Sequence, residues 1–129
     1  MDQEVLVNAF RRTAEQFERL YGPMDLLLLI APDEEAVDSW NVLISAHGLD
    51  SLPLGQAVSR VSETLRKTLK KSLWPVIART TVLRTNDPFV QAFTRRYANL
   101  QAGSTLQSVS VSGVDIPKAV VVEAHRRAA

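Results

Sequence analysis

Trp40-Asn41-Val42-Leu43-Ile44-Ser45 is the stretch on which the fold turns. Read with a period of two, it puts Trp40, Val42 and Ile44 on one face. Read with a helical period, Val37, Trp40 and Ile44 fall on one stripe, which an Asp33 cap would open and Gly48 would close. Aromatic and β-branched residues fit a pleated surface better than a helix, so the strand is favoured, with residues 32–39 as its connecting loop.

Upstream, Leu6, Phe10, Thr13, Phe17 and Leu20 recur at one face of an amphipathic helix over residues 3–20, and Gly22-Pro23 ends it. Asp25 to Ala31 is a continuous apolar run closed by Pro32, the pattern of a strand covered on both faces. Downstream, Leu54, Val58, Val61, Leu65 and Leu69 mark a helix over residues 53–72, broken by Trp74-Pro75. Val76 to Arg84 has strand composition, and its Arg79 and Arg84 require solvent or a partner. Asn86-Asp87-Pro88 opens a helix running to about Leu100, because an Asx cap is followed by proline at the first helical position. Thr105–Ser112 and Ala119–Glu123 complete the chain as two strands joined through Gly113 and Pro117.

These elements predict an α+β fold: a mainly antiparallel sheet of about five strands with three helices, in the order α-β-β-α-β-α-β-β, as one domain over residues 1–129. The opening order of helix, hairpin, helix and strand resembles small profilin-like adaptor domains such as the roadblock class. The helix before the last hairpin departs from that pattern, and element order alone implies no activity.

Composition narrows the chemistry. The chain is 46% hydrophobic and 22% charged, as a folded protein is, and it has no cysteine. Disulfides, thiolate-ligated metals and thiol nucleophiles are thereby excluded. An acidic N-terminus, Met1-Asp2-Gln3-Glu4, and the lack of a long apolar run lead us to expect a soluble cytoplasmic protein without membrane contact. Five single glycines form no phosphate-binding loop, so no cofactor is expected. Asp33-Glu34-Glu35 with Asp38 offers oxygen ligands but no converging second group, and after Pro32-Asp33 the following strand lacks the acid-x-Lys of nuclease cores. Ser45, His47 and Asp50 are neighbours rather than a converging triad. No catalytic or metal residue is assigned.

Charge is unevenly divided. Residues 1–50 carry ten acids against three bases, and residues 51–129 carry four acids against twelve bases. Four of the bases, Arg66, Lys67, Lys70 and Lys71, stand at i, i+1, i+4 and i+5, one side of the expected helix end, and Arg95-Arg96 stand on the next helix. These six are the candidate contacts for phosphates or an acidic partner. Thr105–Ser112 alternates serine with valine, so at a sheet edge it would offer unpaired amides to another chain. The expectation is a non-catalytic interaction or regulatory module, self-associating or binding another protein. Nucleic-acid binding through the basic helix end is the alternative.

Overall fold

The computed structural model of the chain describes residues 3–32, 39–97 and 100–125. Its elements are α1 (Gln3–Tyr21), β1 (Met24–Ile30), β2 (Trp40–Ala46), α2 (Leu54–Thr68), β3 (Ile77–Val82), α3 (Pro88–Tyr97), β4 (Ser104–Val111) and β5 (Val114–Ala124). Short 3₁₀ turns occupy His47–Leu49 and Lys71–Val76. The expected α+β class and element order are present, and Trp40 to Ser45 is a strand. The expected turn or helix start at Asp33–Glu35 lies outside the described residues, as do residues 98 and 99 of the last helix.

The five strands form one sheet in the order β3-β2-β1-β5-β4. β1 is central and buried along nearly its whole length, which is why its sequence shows no polar alternation. All pairings are antiparallel except β2 with β3, which α2 joins as a crossover. Helices cover both faces. On one, Phe10, Phe17, Val61 and Leu65 pack on Leu27, Leu29, Val42, Ile44 and Val120. On the other, α3 sets Phe89, Val90 and Phe93 against Leu26, Leu28, Ile116 and Val121. Asp87 starts α3 by accepting the Phe89 backbone N–H at 2.8 Å, as the Asx-Pro sequence requires.

Several boundaries differ from the sequence reading, each for an identifiable reason. α2 stops at Thr68: Leu69 is extended, with φ −93° and ψ 141°, and the Trp74 indole N–H donates to its carbonyl at 3.2 Å. The chain then tightens into the 3₁₀ turn that contains Trp74-Pro75. Leu20 and Leu54, placed on apolar stripes by spacing, are exposed because each sits at the margin of its helix. β5 begins at Val114 rather than Ala119, and the turn is Ser112-Gly113, both with φ near +50° to +77°. Pro117 therefore lies within β5 and not in the turn. Lys118 turns its carbonyl to the Ala31 N–H on the β1 side, so the Pro117 nitrogen faces β4, and it is tolerated because the β4–β5 ladder is interrupted there. Opposite it, Ser108 has φ 52°, which kinks β4.

Candidate docking groove

The crossover from β2 to β3 builds a concavity at the edge of the sheet. α2 lays its last two turns over the sheet beside β3, then the chain descends through Leu69 and the 3₁₀ turn and returns as β3 itself. Val58, Ser62, Leu65 and Arg66 form one side, Trp74 one end, and Ile77, Ala78, Arg79 and Thr80 the other side of a groove of about 350 Å³. Its lining mixes apolar Val58, Leu65, Trp74 and Ile77 with polar Ser62, Arg66, Arg79 and Thr80, the composition of a recognition site. Trp74 is 37% exposed there, its indole N–H fixed on the Leu69 carbonyl and Lys71 Nζ 5.9 Å from the ring centroid. Such a ring is held in place and partly exposed.

β3 is the first strand of the sheet, so among the described residues its outer side has no partner strand. The Leu83 N–H donates to the Ile44 carbonyl across the parallel pair. Alternation along the strand then turns the peptide groups of Thr81 toward β2 and those of Thr80 outward. A bulge at Ala78, where the register jumps from Trp40↔Ile77 to Asn41↔Arg79, re-aims the start of the strand. The groove and the open edge are thus contiguous.

The electrostatics are one-sided. No acid lines the groove, and among the described residues neither Arg66 nor Arg79 has an ion pair or a side-chain hydrogen bond. The six cations singled out in the sequence divide between two faces. Arg66 lines the groove, and Lys67, Lys70 and Lys71 stand exposed near it, although α2 ends before Lys70 and the four do not share one helix. Lys67 is engaged at 3.1 Å by Glu63, an exposed pair of small energetic consequence. Arg95 and Arg96 lie on α3, across the sheet. Arg95 donates to the Gln91 carbonyl and Arg96 to that of Ser110, each at 3.2 Å, and Arg96 also stacks on Tyr97. Arg79, noted in the sequence only as a strand cation needing a partner, belongs to the groove. Arg84 finds its partner in the Asp50 carbonyl.

The other candidates do not assemble. Ser45 is buried in β2, His47 is exposed, and the Asp50 carboxylate is occupied by Thr85, so the three form no nucleophilic set. His125 pairs with Glu123 at 2.6 Å. Asp33, Glu34, Glu35 and Asp38 lie outside the described residues, and elsewhere no group of three or more acids and histidines converges. Among the described residues no helix is long and apolar enough to cross a membrane. β4 does lie at the opposite sheet edge, with Ser108 and Ser110 exposed and Val111 buried.

Comparison with protein-family models, curated proteins and solved structures finds no match. The fold and groove define a class by physical form alone: an α+β domain with a basic, aromatic-ended groove along an open parallel edge.

Proposed function

We propose that the protein is a non-catalytic interaction module that docks a partner polypeptide along the outer edge of β3. The observation that carries this reading is the contiguity of the outward-facing Thr80 peptide group with the groove containing Arg66, Trp74 and Arg79. An added strand would gain main-chain hydrogen bonds at the edge, and its alternate side chains would enter the groove and supply specificity. The test is selection of an unbiased displayed peptide library on the whole protein, followed by mapping of the bound peptides by amide chemical shifts. Peptides that perturb Thr80 and the Trp74 indole support the reading, and peptides that map away from β3 refute it.

Self-association belongs to the same proposal and is supported by the other edge. β4 carries no charged residue from Ser104 to Val111, so two copies could approach there without like-charge repulsion. Light scattering across a concentration series decides this part, and a monomer at every concentration removes it.

A second reading, nucleic-acid binding, is favoured by one observation: the partly exposed Trp74 stands with Arg66 and Lys71, as a stacking platform in a cationic groove would. Retention on heparin or duplex DNA that falls steeply with salt would support it, and no retention at low salt would end it.

A further inference from the structure

We infer that the occupant of the β3 groove is an extended acidic peptide segment, an assignment that rests on the docking reading above. Three observations select it over a second copy of the chain or a nucleic-acid strand. First, the groove holds Arg66 and Arg79 with no acid in its lining and no ion-pair partner for either among the described residues. A guanidinium offers a planar fork of donors that matches a carboxylate in two parallel hydrogen bonds. Second, two copies meeting edge to edge at β3 would bring the same arginines toward each other, which opposes pairing. Third, the outward edge presents carbonyls as well as N–H groups, since both peptide groups of Thr80 turn away from β2. A polypeptide satisfies both kinds of group. A phosphodiester backbone has acceptors but no donors, so the carbonyls would be left facing phosphate oxygens.

The geometry also gives the segment its length and pattern. β3 spans Ile77–Val82, and at about 3.3 Å per residue its accessible edge accommodates a strand of roughly five residues. Alternate positions of that strand lie on the α2 face of the sheet, so an acid at such a position would meet Arg66.

The experiment titrates the ¹⁵N-labelled whole protein with three probes. They are the terminally blocked heptapeptide Thr-Val-Glu-Val-Glu-Val-Thr, its counterpart with lysine for glutamate, and a short oligothymidylate. The expected result is that the glutamate peptide shifts the Thr80 amide and the Trp74 indole and binds at least about tenfold tighter than the lysine peptide. The Arg66→Glu/Arg79→Glu variant should reverse that preference, while Arg95→Glu/Arg96→Glu, on the opposite face, leaves it intact. Equal binding of both peptides at β3 would overturn the acidic assignment and leave the docking reading standing. An unchanged preference in the Arg66→Glu/Arg79→Glu variant would overturn the acidic assignment in the same way. Absence of both peptides from β3 would overturn both, and oligothymidylate binding in their place would give the groove to nucleic acid.

Discussion

The Asp50 carboxylate accepts both the backbone N–H of Thr85, at 2.9 Å, and the Thr85 hydroxyl. This joins the turn after β2 to the segment after β3, thirty-five residues further along the chain. The Arg84 side chain closes the same junction by donating to the Asp50 carbonyl. β3 is therefore held at one end by this junction and at the other by the Trp74 turn, with its outer edge open among the described residues.

Asp50→Ala should cost about 2 kcal/mol, because the Thr85 N–H and hydroxyl lose a charged acceptor in a largely buried setting. Asn at the same position retains one acceptor and should lose about half as much. Urea denaturation with an unchanged slope measures both, and a loss below about 0.5 kcal/mol for the alanine variant would show that the junction is incidental.

Two glycines predict opposite outcomes for the same substitution. A Cβ on Gly48 would stand 2.5 Å from the Tyr21 carbonyl oxygen and 2.7 Å from its Cα, so the turn after β2 must move away from the end of α1. Gly48→Ala should lose about 1–3 kcal/mol. Gly55, in the first turn of α2, has nothing within 4 Å of that position, and Gly55→Ala should gain up to about 1 kcal/mol from helix propensity. Thermal unfolding of the pair checks the contrast, and the same sign for both would contradict the packing described.

Proline substitution reads the orientation of the edge strand directly. Thr80→Pro removes an N–H that faces outward, and edge strands tolerate proline at such positions, so the cost should be about 1 kcal/mol or less. Thr81→Pro removes a donor to β2 and should cost about 3 kcal/mol. Equal losses would mean that β3 is not the open edge. Thr80→Pro should also weaken every peptide that pairs with β3, which separates edge pairing from groove contacts alone.

Much of this fold is legible in the residues. The apolar run of Leu26–Ile30 shows a strand buried on both sides, and Asp87-Pro88 marks the start of α3. What is not legible depends on contacts distant in sequence. Leu65 and Leu69 have helical spacing, yet Leu69 is buried from extended backbone because the Trp74 indole binds its carbonyl. Pro117 reads as a turn residue, and only the break in the β4–β5 ladder opposite Ser108 explains its place in a strand. The groove was half visible. The basic cluster marks Arg66 and a charge in a strand marks Arg79, but Ser62 and Arg66 meet Ala78 and Thr80 only because α2 folds back beside β3. Nothing in the spacing of Arg95 and Arg96 shows that they lie on the far face of the sheet.

Amide hydrogen exchange at Thr80, in the whole protein with and without the glutamate heptapeptide, tests the docking edge most directly. In the free protein Thr80 should exchange quickly while Thr81, bonded to β2, is protected. Saturating peptide should then slow Thr80 by at least about tenfold, as a ladder hydrogen bond would. A Thr80 amide already protected in the free monomer, or one whose exchange the bound peptide leaves unchanged, would contradict docking along β3.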